Sequence, residues 1–167
     1  MHVAVLAFPF GTHGTPLLAT VRRLAAAAPD VHFSFFNTLE SNASLFSGEC
    51  SLIPNVKPIN VHSGLPLGYK FSGKPQEPVE MFFRATPTNF AEAMEAAVKE
   101  NGKKFTCLLS DAFLWFAADL AESIAVPWVA HWAPGHWSLF LHMETDLVRR
   151  QFSPAGMINF SPVRLLN

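Results

Sequence analysis

Two hydrophobic rhythms alternate along this chain. Short apolar-rich segments occur at 3–8, 31–36 (where the apolar residues start in alternation), 56–61, 105–110 and 126–132. Between them lie stretches whose apolar residues recur every three or four positions. The first kind reads as buried strand and the second as helix packed on one face. Thr15 is placed to cap a first helix with Pro16 at its first position. Leu17, Leu18, Val21, Leu24, Ala25 and Ala28 then share one face, Arg22 and Arg23 lie off it, and Pro29-Asp30 ends the helix. A second strand follows at 31–36. Strand, helix and strand in that order imply a parallel sheet with a right-handed crossover.

The pattern continues with a short helix at 41–47 and a third strand at 56–61. Residues 62–79 carry Gly64, Pro66, Gly68, Gly73, Pro75 and Pro78 and read as a long loop, a length that is usually functional or disordered. A helix at 79–84 precedes a second one restarted by Thr86-Pro87, with Phe90, Met94, Ala97 and Val98 on one stripe and Asn101-Gly102 closing it. The strand at 105–110 ends on Asp111. A helix at 114–124, a strand at 126–132 and a last helix at 138–150 complete the pattern, and Arg149-Arg150 suits a helix C-terminus. The expected fold is α/β, a Rossmann-like parallel sheet with flanking helices. Residues 1–150 form one domain and 151–167 an irregular tail.

Composition narrows the class. The chain has 167 residues, half of them hydrophobic and 15% charged, which supports a sizeable core. Sixteen Phe and four Trp make that core aromatic. A net charge of -1 gives no electrostatic footprint for nucleic acid. Cys50 and Cys107 form neither a disulfide framework nor a zinc pattern, and Cys107 reads as a buried small hydrophobe. No run approaches the ~18 apolar residues of a membrane span. The apolar N-terminus lacks a basic flank and is broken by Pro9, unlike a signal peptide, so a cytoplasmic location is expected. Asn42-Ala43-Ser44 matches the glycosylation sequon, which carries little weight without a secretory signal.

Two residues at strand ends carry candidate chemistry. His13 follows the first strand in a Gly-Thr-His-Gly loop, and Asp111 ends the strand at 105–110. In an open parallel sheet both face the crevice where ligands bind. A histidine there can serve as a general base, and an ionised Asp beside it fixes its tautomer. The plainer readings are a solvated or structural His13 and an Asp111 that caps the following helix, and one carboxylate can serve both ends. Phosphate-loop, dinucleotide and nucleophile-elbow signatures are absent from the sequence. His131, His136 and His142 share a segment without carboxylate or Cys partners at ligand spacing, so no metal is expected. Trp115, Trp128, Trp132 and Trp137 either fill the core or line an aromatic pocket.

These residues also carry a resemblance. His2 to His13 (His-Val-Ala-Val-Leu-Ala-Phe-Pro-Phe-Gly-Thr-His), followed by Pro16-Leu17-Leu18, resembles the start of plant family-1 UDP-glycosyltransferases, in particular the flavonoid 3-O-glucosyltransferase group. Further matching blocks are 33–36, 41–44, Gly68-Tyr69, 73–77 and 111–119, so the likeness runs from residue 2 to about 150. It implies the N-terminal, acceptor-binding half of a GT-B fold, in which two Rossmann-like domains enclose the active site. His13 then falls on the catalytic base and Asp111 on the acid that orients it. Gln76 and His142 fall on residues that hydrogen-bond a flavonoid acceptor, and Phe113 on an aromatic wall. Gly11 and Thr12 fall in the loop facing the sugar donor.

The resemblance implies an inverting transfer of glucose from UDP-glucose to a flavonoid 3-hydroxyl, with the UDP-sugar as co-substrate and no resident cofactor. Ala133 stands at a donor-side position where the family commonly has Thr, and Ala cannot hydrogen-bond the donor. Pro134, His136 and Trp137 depart from the usual small and polar neighbours, and Ser63-Gly64-Leu65-Pro66 replaces the usual Asp-Gly-hydrophobic-Pro. The family's donor-binding signature, Trp-Ala-Pro-Gln with a later His-Cys-Gly-Trp-Asn-Ser, does not occur, and the tail at 155–167 fits the family poorly. The expectation is a truncated product or partial sequence without a C-terminal donor domain, nearly inactive alone. The alternative is a non-catalytic module that binds flavonoids or pairs with another chain.

Overall fold

A computed structural model describes residues 1–47, 53–66 and 68–151. They group into two compact units, the first Met1–His131 and the second beginning at Trp132. Cys50 and the tail beyond Gln151 lie outside the described residues.

The first unit is built on five strands: β1 (His2–Leu6), β2 (His32–Thr38), β3 (Val56–Val61), β4 (Cys107–Asp111) and β5 (Trp128–His131). All pair in parallel in the order β3-β2-β1-β4-β5. The chain first winds outward from β1 through β2 to β3, then returns to the other side of β1. The order therefore reverses between β1 and β4, the switch point where such sheets leave a crevice at the strand C-terminal ends. β1 is central and buried along its whole length, which is why it reads as a continuous apolar run rather than an alternating one.

Side chains alternate across β1 and divide the core. Val3, Val5 and Ala7 pack with Leu17, Leu18, Val21 and Ala25 of helix α1 (Gly14–Ala27). Ala4, Leu6 and Phe8 face the opposite layer, where helices α3 (Gln76–Asn101) and α4 (Ala117–Ser123) contribute Phe82, Phe90, Met94, Ala97, Ala117 and Ala121. Leu24, expected on the buried face of α1, is 46% exposed.

Several expected boundaries are corrected. Helix α1 begins at Gly14, with His13 at the N-cap position, so Thr15 and Pro16 lie inside its first turn. Pro16 is tolerated there because the first-turn N–H groups have no partner within the helix. Helix α2 (Leu39–Leu45) starts earlier than expected because Thr38 Oγ1 accepts from the Ser41 N–H, capping it. The two helices expected at 79–84 and from 86 are one, α3, with Pro87 inside it. Pro87 removes the hydrogen bond to the carbonyl four residues back. The helix nevertheless continues, because Phe82, Thr86 and Phe90, one turn apart, are all fully buried.

The segment after β4 forms turns before α4, so that helix is shorter than expected. Cys107 is only partly buried, with its thiol pushed above its ordinary pKa by desolvation. Asn42 of the sequon is buried, and its Nδ2 donates to Ile59 O and Asn60 Oδ1 at 3.1 and 2.9 Å, which removes it as a glycosylation acceptor.

The second unit holds helices α5 (His136–Met143) and α6 (Thr145–Gln151), where one helix was expected. The break falls at Glu144, and Thr145 Oγ1 donates to His142 O at 2.6 Å. No helix among the described residues is long and apolar enough to cross a membrane.

Candidate active site at the β1–β4 crevice

The loop from β1 into α1 places His13. Gly11 takes φ +62°, a left-handed conformation that costs a side-chain-bearing residue about 1 kcal/mol or more. The turn delivers His13 to the N-cap position with helical dihedrals and no side-chain capping bond. Its ring instead crosses the switch point. His13 Nδ1–H donates to Asp111 Oδ2 at 2.9 Å. Asp111 is 1% exposed. Its other oxygen, Oδ1, accepts from the Phe113 backbone N–H at 2.9 Å. One carboxylate thus orients the imidazole and closes the turn after β4, and it caps no helix, since α4 begins at Ala117.

This geometry selects a tautomer. Because Nδ1 carries the proton shared with Asp111, neutral His13 presents unprotonated Nε2 as its base nitrogen. The arrangement can take a proton from a hydroxyl while the carboxylate compensates the charge that develops on the ring.

Aromatic rings surround the histidine. Phe113 lies 4.5 Å from its ring centroid and Phe8 lies 5.1 Å away, edge-on. Phe8 stacks on Phe83 at 5.7 Å, and Phe83 meets Trp115 at 4.6 Å. The apolar wall therefore extends outward from the base. Phe8 and Phe83, which sequence reasoning did not single out, belong to it. Their only sequence signal was position, at the end of β1 and on the α3 stripe.

Two of the tryptophans take the two expected roles, whereas Trp137 is 70% exposed and fills neither. Trp115 is half-exposed at the outer end of the wall, whereas partly buried Trp128 packs on the α3–α4 core and donates to Ser110 Oγ at 2.9 Å. Gln76 opens α3 and lines a separate open hollow with Ser72, Lys74, Glu77 and Glu80, a lining that does not include His13. Thr12 is exposed in the loop before His13. Ala133 and His142 belong to the second unit. There His142 lies 5.1 Å from Trp132, and Trp132 Nε1–H donates to Ser138 Oγ at 3.0 Å. No group of His, Cys, Asp and Glu among the described residues could hold a metal ion.

Comparison with known proteins shows what the chain is similar to. No protein-family model matches the chain. It is 53% identical over 154 residues to an anthocyanidin 3-O-glucosyltransferase of Gentiana triflora, covering 91% of this chain and 34% of that protein. It is 52% identical over 151 residues to a flavonoid 3-O-glucosyltransferase of Medicago truncatula, covering 90% and 33%. The chain is a homologue of the plant flavonoid 3-O-glucosyltransferases. It spans about a third of the length of these relatives. The crystal structure of a UDP-glucose:anthocyanidin 3-O-glucosyltransferase in complex with UDP superposes with a TM-score of 0.85 at 36% identity, over 93% of this chain and 34% of that one. The five-stranded parallel sheet accordingly matches the GT-B glycosyltransferases. Phytolacca americana UGT2, in complex with UDP-2fluoro-glucose and pterostilbene, shares the fold at 13% identity, with a TM-score of 0.70 over 90% of this chain and 34% of that one.

Proposed function

We propose that this chain is the acceptor-binding and base-supplying half of an inverting UDP-glucose:flavonoid 3-O-glucosyltransferase. The observation that carries the reading is the 2.9 Å bond from His13 Nδ1–H to Asp111, set beside an aromatic wall at the sheet's switch point. A flavonol is a flat polyphenol, and rings such as Phe113 and Phe8 offer it apolar area while His13 Nε2 accepts its 3-hydroxyl proton. As the proton moves to Nε2, the phenolic oxygen attacks the anomeric carbon of UDP-glucose. The bond from that carbon to the diphosphate breaks on the opposite face, UDP leaves with the electron pair, and configuration inverts without a covalent enzyme intermediate. Asp111 stabilises the imidazolium throughout. The resemblance assigns acceptor contacts to Gln76 and His142 and donor-side positions to Gly11, Thr12 and Ala133, and the UDP-sugar is a co-substrate beside which no resident cofactor is needed. The donor site comes mainly from a second domain.

One observation favours a second reading, a flavonoid-binding module without catalysis: Ala133, at the donor-side position, has no side-chain group that can hydrogen-bond a donor.

Mass-spectrometric assay with UDP-glucose and quercetin tests the proposal. The chain alone should bind quercetin saturably, quenching its tryptophan fluorescence, and form little or no glucoside. Joined to the remaining two-thirds of the Gentiana triflora relative, it should form glucoside, and His13→Ala should abolish that product. Binding without product in a folded hybrid would support the second reading.

A further inference from the structure

The base does not hold its position through Asp111 alone. Asp111 is the register partner of His131 at the end of the neighbouring strand β5, so parallel pairing sends both side chains to the same face of the sheet. That face carries α1. Asp111 reaches His13 at the start of α1, and His131 reaches Thr20, seven residues or about two turns further along. Two adjacent strand ends thus grip one helix at two points.

The hydrogen-bond directions in the second grip are fixed. Thr20 Oγ1 donates its single proton to Pro16 O at 3.0 Å. It can therefore only accept from His131 Nε2, 3.2 Å away. Neutral His131 carries its proton on Nε2 and leaves Nδ1 bare, and Nδ1 is buried with no hydrogen-bond partner in the structure. The Ala112 N–H, immediately after Asp111, donates to the His131 carbonyl at 3.0 Å. His131 thus connects the backbone beside Asp111 to the helix that presents His13. The buried, unpaired nitrogen is a cost to the fold, and the side chain that carries it also makes the bond to α1.

The geometry assigns His131 as a positioning residue for the His13–Asp111 pair. Its bond to Thr20 sets the axial position and rotation of α1, and thereby the approach of Nδ1 to the carboxylate. The assignment rests on the reading of His13 as base.

Long-range proton–nitrogen NMR spectra of the 15N-labelled chain, read through the ring C–H protons, report the tautomer of His13 directly. The unaltered chain should show one His13 tautomer, protonated at Nδ1. His131→Phe and Thr20→Val, each removing one end of the bond, should turn that signal into a mixture of both tautomers. His131→Gln and Thr20→Ser, which can restore the donor or the acceptor, should return the single form. A purely structural role for His131 would give no such rescue. The backbone amide spectrum identifies any variant that has lost its fold, and near-isosteric Thr20→Val then carries the test. An unchanged His13 tautomer in folded His131→Phe and Thr20→Val overturns the assignment while leaving the base reading intact. A Nδ1-unprotonated His13 in the unaltered chain overturns the base reading, and the assignment with it.

Discussion

His13 and Asp111 stand 98 positions apart in sequence and 2.9 Å apart in space, joined across the two strands between which the sheet reverses its order. The contact engages one carboxylate oxygen, and the other holds the backbone of Phe113. The ring that packs on the imidazole is thereby tied to the acid that orients it.

In the hybrid enzyme described above, Asp111→Asn should keep the shape of the site and lose its charge. The amide can offer its nitrogen to the imidazole and favour the wrong tautomer. Glucoside formation should fall by about 10³-fold or more, with quercetin binding nearly unchanged. Initial rates and fluorescence titration of the same preparation check both halves. A fall below tenfold would show that the carboxylate charge is not required.

His2 makes stability depend on pH. It is 2% exposed, with Nδ1–H donating to Lys103 O at 3.0 Å and Ser34 Oγ–H donating to Nε2 at 2.8 Å, an arrangement that fits the neutral ring. Burial holds its pKa below the ordinary 6.5, and the charges of His32, Lys103 and the N-terminus act in the same direction against the Lys103 carbonyl bond. The unfolded chain therefore binds the proton more readily. This contribution is intact above about pH 6.5 and is lost as pH falls from there toward the folded-state pKa. Urea midpoints measured from pH 7.5 down to 5 should decline, and His2→Asn should flatten the decline even though it lowers stability overall. Equal slopes in both proteins would remove His2 as the cause.

Phe82 is fully buried and touches the rings of Phe8, Phe10, Phe83 and Phe90 at centroid distances of 5.4–6.4 Å. Phe82→Ala should cost about 3–5 kcal/mol in urea unfolding, through lost transfer energy and the cavity left behind. It should also weaken quercetin binding, because Phe8 and Phe83 lose the ring that backs them. A cost under about 1 kcal/mol would mean that the site collapses around the gap.

Gly64, in the loop after β3, has φ +79° and lies against α3. A Cβ there would meet Ala85 Cβ at 2.6 Å and Met81 O at 3.0 Å, neither of which can swing away. Gly64→Ala should lower stability by about 1–3 kcal/mol, combining the strained dihedral with the clash. Differential scanning calorimetry reads the effect, and an unchanged Tm would show that the loop can shift outward at no cost.

The apolar rhythm of the sequence determined the number and parallel pairing of the strands, most plainly for β1, β2 and β4, which are local runs whose burial is visible in their composition. It also placed His13 and Asp111 at strand ends, and the blocks around them carried a resemblance to the flavonoid 3-O-glucosyltransferases. Several features were not local. α3 runs through Pro87 because the burial of Phe82, Thr86 and Phe90 outweighs one missing hydrogen bond. α1 starts at Gly14 because the β1–α1 turn, and not Thr15, sets its first residue. The chain breaks between α5 and α6 at Glu144, where continuous periodicity had read as one helix. The partnership of Phe8 with Phe83, and that of Thr20 with His131, exist only once α3 and β5 lie against the sheet. Residue types and their spacing were enough to nominate a base and an acid. The tautomer of the base and the residues that hold it depend on which hydrogen-bond donors meet which acceptors, and packing between distant segments decides that.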